Sequence, residues 1–141
     1  MVLFMMLEFL VGDEEKIVNN SNNTPTTAFV IVESKNGYML LYNKYRNKWE
    51  LTGGYIEQDE SPKEGAIREC LEESNQNISD LYFVGLAKYT NMNAAIYYAF
   101  LKAENPFIEN DEIKELQWWR PGDEIGEICS DSIRFIRLHN P

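Results

Sequence analysis

Three glutamates, Glu69, Glu72 and Glu73, are spaced so that a helix would carry them on one side. At about 100° per residue, positions i, i+3 and i+4 share one arc of a helix surface. Like charges at this spacing repel by roughly 0.2–0.5 kcal/mol per pair in an isolated helix, so we expect a positively charged partner. Hard divalent cations take oxygen ligands, and the cluster therefore predicts a metal site with Mg²⁺ as the first candidate.

The helix that would carry these glutamates has clear start and end signals. Ser61 suits the N-cap, Pro62 suits the first helical position, and Glu64 suits the return bond of a capping box. We expect the helix to run to about Ser74 and Asn75 to close it in the left-handed conformation.

One side of this helix is apolar and is predicted to face the core, so that the acidic side faces away from it. Gly65 lies one turn before Glu69 on the acidic side, where glycine costs roughly 1 kcal/mol against alanine. A close approach to the helix backbone, for example by a metal-bound ligand, would explain that glycine. The predicted core residues are Ala66, Ile67, Cys70 and Leu71.

Runs of β-branched and aromatic residues on both sides of the helix predict strands. The short strand at 49–51 should end at Gly53 and Gly54, which we expect to form a turn. A second helix is predicted over 130–138, and the order of elements indicates a mixed sheet between helices in one α/β domain, 1–141. Residues 1–25 are expected to be an N-terminal strand or arm followed by a polar linker. The other predicted strands are 26–33, 38–42, 81–89, 94–102 and 115–119.

The net charge of −10 argues against duplex nucleic acid or an anionic membrane as a partner, but permits a small polyanion whose charge metal ions offset. Two cysteines suit a reducing compartment, and the sequence shows neither a secretion signal nor a membrane span, so we expect a cytoplasmic location. The single His139 argues against histidine-based catalysis. The apolar arm could pair with a second chain or cover its own sheet, which leaves monomer and homodimer open.

The region from residue 49 to residue 76 resembles the box of the Nudix hydrolase family, of the MutT-like type. That box reads Gly, five residues, Glu, seven residues, Arg-Glu, an apolar residue, any residue, Glu-Glu, any residue, Gly, an apolar residue. Asn75 and Gln76 stand where the family usually has glycine and an apolar residue, and Thr52 replaces a common proline. None of these departures removes a carboxylate. The residues in register are Gly54, Glu60, Arg68, Glu69, Cys70, Glu72 and Glu73.

The resemblance covers roughly 26–138 and implies a Nudix-type α/β/α sandwich with a mixed central sheet. It also implies hydrolysis of a phosphoanhydride bond with Mg²⁺ or Mn²⁺. The implied metal ligands are Glu69, Glu72, Glu73 and the Gly53 carbonyl. Arg68 is implied to orient the acidic cluster by ion pairing, with a phosphate contact as the alternative, and Glu60 to support the site or orient its neighbours.

The general base stays open at this point. A carboxylate must serve, since the one histidine is excluded, and Glu69 is the first choice. Family members often place a further acidic residue in a loop after the box. Glu112 is the preferred candidate there, with Asp111 and Glu115 as alternatives, and an exposed loop residue is the competing interpretation.

Substrate recognition is predicted from two groups of residues. Arg46 and Lys48, together with Lys44, form a basic cluster that could meet phosphates or simply be a solvated hairpin tip. Tyr89 and Asn91 could stack on or hydrogen-bond a nucleobase, as could three further aromatic residues, for all of which core packing is the alternative. Those three are Tyr97, Trp118 and Trp119.

The leading hypothesis is a Mg²⁺-dependent Nudix pyrophosphohydrolase that acts on a nucleoside triphosphate or a related nucleotide. The alternatives are an enzyme for ADP-ribose, another sugar nucleotide or a 5′-triphosphate RNA end, and a sensor that binds a nucleotide without cleaving it. The sequence does not separate the substrates, and the complete carboxylate set argues against the sensor.

Overall fold

The computed structural model describes residues 5–140, and residues 1–4 of the predicted arm and residue 141 lie outside the described residues. Eleven helices and strands are present in that range, with a single 3-10 turn at Ser21–Asn23. The helices are α1 (Glu14–Val18), α2 (Pro62–Ser74) and α3 (Ser130–His139). The strands are β1 (Met6–Leu10), β2 (Thr27–Ser34), β3 (Gly37–Asn43), β4 (Lys48–Glu50), β5 (Thr52–Tyr55), β6 (Tyr82–Tyr89), β7 (Asn93–Phe100) and β8 (Ile113–Trp119).

The eight strands form one mixed sheet, as predicted. Its order is β1-β6-β7-β2-β3-β4, with β5 added to β2 and β8 added to β3. Among the described strand pairs β2 and β7 run parallel, and the others are antiparallel. Apolar residues fill both faces of the sheet, α2 packing on one through Ala66 and Cys70 and α3 on the other through Phe135 and Ile136. The α/β class with helices on both faces is therefore confirmed.

Strand β2 changes partner along its length, and this opens the sheet. Its first half, 27–30, pairs with β5, whereas its end, 33–34, pairs with β3. On its other side β2 pairs with β7 from residue 27 to residue 33. The sheet thus forks between β3 and β5, and the fork leaves room for a cavity beside α2.

Helix α2 has the predicted ends. Ser61 Oγ accepts from the Glu64 N–H at 3.1 Å, and Glu64 Oε1 accepts from the Ser61 N–H at 2.8 Å, which completes the capping box. Asn75 closes the helix with φ 63° and ψ 21°. Both signals are local in sequence, which explains why they could be identified without the fold.

The predicted orientation of α2 is wrong in part. Ala66 and Cys70 are buried, but Ile67 and Leu71 are 36% and 44% exposed, while Glu73 on the acidic side is only 6% exposed. The helix packs on the sheet through the small residues Ala66 and Cys70. Glu73 can be buried at this contact because the Thr52 hydroxyl and the Gly53 N–H donate to its carboxyl. The acidic side therefore does not face away from the core along its whole length.

The glycine pair is not a turn. Gly53 and Gly54 lie within β5, opposite Phe29 and Ala28 of β2. A Cβ atom at Gly53 would collide with the Ala28 carbonyl oxygen and the Phe29 ring, so the close approach of the two strands requires glycine. The predicted strand at 49–51 is correspondingly two short strands, β4 and β5.

The N-terminal arm covers its own sheet, since β1 pairs antiparallel with β6. The sequence did not indicate α1 or the 3-10 turn, which occupy part of the predicted arm and linker. No helix among residues 5–140 has the length and apolar composition needed to cross a membrane.

Candidate active site

A cavity of about 470 Å³ lies at the fork of the sheet, between α2 and α3. Carboxylates from α2 and from the loop before β8 line one part of it, namely those of Glu69, Glu73 and Glu112. Apolar side chains of Phe29, Met92 and Phe135 line another part. The cavity therefore joins an acidic region to an apolar region within one binding space.

Glu73 is the most buried of the acidic residues in this cavity. Its Oε1 accepts hydrogen bonds from the Thr52 hydroxyl at 2.6 Å and from the Gly53 N–H at 3.0 Å. Burial raises the pKa of Glu73 well above its usual range, and the adjacent Glu112 carboxyl raises it further. A nearby cation would reverse this effect, because it stabilises the charged form.

Glu69 lies one turn before Glu73, and its side chain is 18% exposed. Burial raises its pKa, the Arg68 guanidinium opposes that shift, and the charges of Glu72 and Glu112 add to it. A Cβ atom at Gly54 would lie 2.7 Å from the Glu69 carboxyl carbon. Glycine at position 54 therefore gives the Glu69 carboxylate its room beside β5.

Arg68 connects the acidic residues to one another. Its Nε and Nη2 donate to Glu60 at 2.7 and 3.0 Å, and Nη2 also donates to the Tyr55 carbonyl at 3.0 Å. Its Nη1 donates to Glu69 at 3.1 Å and to Glu72 at 3.2 Å. Arg68 thus lies between the carboxylates that it is expected to orient, with Glu60 as its main partner, and both roles stay predictions.

The Glu60 carboxylate also explains Gly65. A Cβ atom at Gly65 would lie 2.9 Å from Glu60 Oε1, which in turn accepts from the Glu57 N–H at 2.9 Å. The group that approaches the helix backbone is thus a side chain of the protein, and the metal-bound ligand expected there from the sequence is not needed. Hydrogen bonding to Arg68 lowers the pKa of Glu60, which therefore stays charged.

The fit of the acidic residues to a metal ion depends on their spacing, their donor atoms and their charge. Across residues 5–140, no three acidic, cysteine or histidine side chains are already gathered at metal-binding distance, and Arg68 pairs with Glu69 and Glu72. The carboxylates supply oxygen donors only, and the Glu112 carboxyl raises the pKa of both Glu69 and Glu73. This donor set and this surplus of negative charge fit a hard divalent cation.

Among the loop acids proposed as a second base, Glu112 is the one that lines the cavity, while Asp111 and Glu115 are exposed. Glu112 Oε2 accepts a hydrogen bond from the Asn43 side-chain amide at 3.3 Å. The sequence analysis missed Asn43. An asparagine at the end of a strand, directly before a turn, was the available signal, because such side chains often bond to the turn backbone.

The two predicted phosphate-binding residues are separated. Arg46 lines the cavity and makes two hydrogen bonds to Glu50, at 2.7 and 2.9 Å. Lys48 does not line it; its ammonium group lies 3.4 Å from Glu127. The Trp49 N–H bonds to the Glu127 carbonyl, which brings the Glu127 loop beside Lys48.

Of the two predicted nucleobase-binding residues, one lines the cavity and the other does not. Tyr89 lines the cavity and donates a 2.9 Å hydrogen bond to Asp131, a cavity residue that the sequence analysis missed. Asn91 is exposed in the β6–β7 turn and does not line the cavity. The helix start predicted near residue 130 was the available signal for Asp131.

The other aromatic candidates serve the core. Tyr97 is fully buried and donates to Glu14 at 2.6 Å, and Trp119 donates to the Asp123 carbonyl at 3.0 Å. Trp118 packs against the buried residues on the α2 face. For these three residues the core-packing alternative holds.

Comparison with known proteins defines the class of this chain. The family model described as the NUDIX domain matches residues 23–138. The chain belongs to the Nudix hydrolase family.

Relatives and solved structures agree with that assignment. A Bacillus subtilis protein named, provisionally, as an 8-oxo-dGTP diphosphatase is 29% identical over 98 residues, and the match covers 67% of this chain and 66% of the relative, just under two thirds of its length. A Nudix-family hydrolase from Clostridium perfringens superposes with a TM-score of 0.69 at 23% identity, covering 79% of this chain and 93% of that one. A mutant of a Bacillus subtilis pyrophosphohydrolase gives a TM-score of 0.71 at 19% identity, covering 94% and 90%. At these identities the two structures show a shared fold.

Proposed function

We propose that this protein is a Mg²⁺-dependent pyrophosphohydrolase that cleaves a phosphoanhydride bond of a nucleoside triphosphate or a related nucleotide, with Mn²⁺ as an alternative ion. The observation that carries the proposal is the cavity itself. Its acidic part suits the phosphates of a nucleotide with their metal ions, and its apolar part with Tyr89 suits a nucleobase.

The residues that would hold the ion are Glu69, Glu72 and Glu73, together with the Gly53 carbonyl. Its chemistry would be to neutralise phosphate charge and to make a water molecule more acidic. Glu60 acts on this group indirectly, because it fixes the guanidinium that contacts Glu69 and Glu72. Arg46, at the same cavity, is the proposed phosphate contact.

Glu69 is the proposed general base, and Glu112 is the second candidate. Burial raises the pKa of Glu69, which brings its proton affinity closer to that needed for proton transfer near neutral pH. Glu112 lines the same cavity beside Glu73 and would serve if Glu69 is committed to the metal. Separate Glu69→Gln and Glu112→Gln variants would distinguish the two candidates.

Substrate, location and domain extent belong to the same proposal. The name of the Bacillus subtilis relative makes 8-oxo-dGTP the first nucleotide to test. Two cysteines that form no disulfide with each other support a cytoplasmic location. We also propose one Nudix domain over 1–141 with a small-molecule partner, as a monomer or a homodimer.

The test is hydrolysis by the purified protein with Mg²⁺ or Mn²⁺, with products identified by mass. The panel contains unmodified and oxidised nucleoside triphosphates, ADP-ribose, other sugar nucleotides and 5′-triphosphate RNA. We expect release of pyrophosphate or phosphate from a triphosphate, lost in Glu69→Gln and retained in Glu124→Gln, a matched change at an exposed position. Nucleotide binding with no product over the whole panel would instead support the sensor.

A further inference from the structure

We propose that Asn43 is a positioning residue that holds Glu112 and the Arg46 loop in one arrangement around the cavity. The inference rests on the proposed function, in which Glu112 and Arg46 act on the substrate. Asn43 itself does not line the cavity, so any effect on turnover must pass through residues that do.

The Asn43 side chain makes contacts in two directions. Its Oδ1 accepts from the Tyr45 N–H at 2.9 Å and from the Arg46 N–H at 3.0 Å. Its Nδ2 donates to Glu112 Oε2 at 3.3 Å. Two backbone donors at one end of the amide require its oxygen there, so the nitrogen must face the carboxylate.

Burial makes these contacts consequential. Asn43 is 1% exposed, and a buried amide that loses a partner cannot exchange it for water without cost. The contact with Glu112 joins residues 69 positions apart in the chain, whereas the contacts with Tyr45 and Arg46 are local. One side chain therefore shapes a turn and also ties that turn to a distant loop.

The register of β3 and β8 places Asn43 beside the loop that contains Glu112. Tyr42 pairs with Glu115, but Asn43 pairs with Ile113, so that Lys114 is an extra residue in β8. Such a bulge bends the strand and changes where the adjacent side chains are directed. It brings residue 112 beside the end of β3, where the Lys44 N–H donates to the Glu112 carbonyl at 2.8 Å.

Glu112 is consequently held at its backbone and at its side chain. The Asn110 side chain accepts from the Glu112 N–H at 3.1 Å and donates to the Glu73 carbonyl at 3.0 Å, which fixes the loop to α2. These backbone bonds place the residue, and the Asn43 amide selects where its carboxylate lies. Without that amide the loop would stay in place, while the carboxylate would sample other orientations.

The experiment is a reciprocal exchange of donor and acceptor. Asn43→Asp keeps an oxygen for the turn but sets a second carboxylate against Glu112. Combined with Glu112→Gln, it restores a donor–acceptor pair with the two roles exchanged. The control is Asn93→Asp, which removes amide donors to the Asn22 and Thr24 carbonyls at a side chain that has no hydrogen bond to Glu112.

We expect Asn43→Asp to lower the melting temperature by several degrees, and Glu112→Gln to restore most of that loss in the double variant. The Asn93→Asp loss should not be restored by Glu112→Gln. In steady-state assays Asn43→Asp should lower kcat by about 10- to 100-fold and change KM by less than about threefold, because a displaced group affects turnover more than binding.

The proposal is overturned if Asn43→Asp lowers the melting temperature by the same amount in the wild-type protein and in the Glu112→Gln variant. It is also overturned if Asn43→Asp leaves kcat unchanged. Failure of the proposed function has a different signature. The wild-type protein would then hydrolyse nothing in the panel, while the melting experiments would still report the contact between Asn43 and Glu112.

Discussion

Glu60 and Arg68 form a two-bond ion pair that joins the segment leading into α2 to the second turn of that helix, with N–O distances of 2.7 and 3.0 Å. The pair leaves Nη1 of the same guanidinium directed at Glu69 and Glu72. Glu60 therefore determines how strongly Arg68 can bind the carboxylates proposed as metal ligands.

Glu60→Gln should raise the Mg²⁺ concentration needed for half-maximal activity and lower kcat by about tenfold. The reason is that a guanidinium without its main partner competes more strongly with a cation for Glu69 and Glu72. Kinetics over a Mg²⁺ titration measure both effects. Glu57→Gln is the control, since Glu57 is 67% exposed and lies 3.6 Å from Arg68; equal effects of the two changes would contradict the prediction.

Glu73→Gln should stabilise the metal-free protein while reducing hydrolysis. The amide oxygen of glutamine can still accept from Thr52 and Gly53, and the buried charge is removed. Because the folded-state pKa of Glu73 is raised, its contribution to stability is fully present below the unfolded pKa and is lost as the pH rises through the folded one. Metal-free wild-type protein should therefore lose stability above about pH 4.5, by at most about 1.4 kcal/mol per pH unit from this residue.

Thermal unfolding in EDTA from pH 5 to pH 8 tests the Glu73 prediction. The advantage of Glu73→Gln over wild type should grow with pH to a few degrees. Glu72→Gln, at a side chain that is 58% exposed, should show little such trend. A constant or shrinking advantage of Glu73→Gln across this range would show that Glu73 is not the buried acid responsible.

Gly54→Ala should reduce activity by at least about tenfold in a folded protein, because the new methyl group would lie 2.7 Å from the Glu69 carboxyl carbon. The loss of stability that accompanies this change should shrink when Glu69→Ala removes the obstructing group. Melting temperatures of the two single variants and the double variant give this comparison. Additive losses would place the steric conflict elsewhere.

Tyr89→Phe should raise KM for a nucleotide by roughly three- to tenfold and leave kcat nearly unchanged, since the lost hydroxyl orients Asp131 in the apolar part of the cavity. Tyr98→Phe is a matched control. It removes a 2.6 Å bond from a tyrosine hydroxyl to Glu33, and neither residue lines the cavity. Steady-state kinetics with one triphosphate suffice, and a kcat effect without a KM effect would argue against substrate binding by this region.

The parts of the fold that sequence reasoning predicted are those encoded by local signals. Ser61, Glu64 and Asn75 act within their own helix, so their roles follow from spacing alone. Runs of β-branched and aromatic residues likewise placed most strands within a few positions. The spacing of the glutamates and the resemblance to the Nudix box then predicted that α2 carries the carboxylates of the site.

The parts that it missed depend on contacts between distant residues. Glu73 can be buried because Thr52 and Gly53 donate to it from 21 and 20 positions away. The prediction that the acidic side of α2 faces away from the core assumed that each of its carboxylates is exposed to water. Gly53 lies in a strand because β2 approaches it closely. Lys48 and Asn91 had suitable side chains, but the pairing of β4 with residue 127 and the exposed β6–β7 turn placed them away from the cavity.

The exchange of partners along β2 has a practical consequence for protein engineering. Backbone pairing, and no individual side chain, creates the opening at the centre of the sheet. Substitutions at Phe29 or Met92 would therefore reshape the volume offered to a ligand and leave the scaffold around it intact. New selectivity could be selected from a library at those positions, with the acidic helix kept constant.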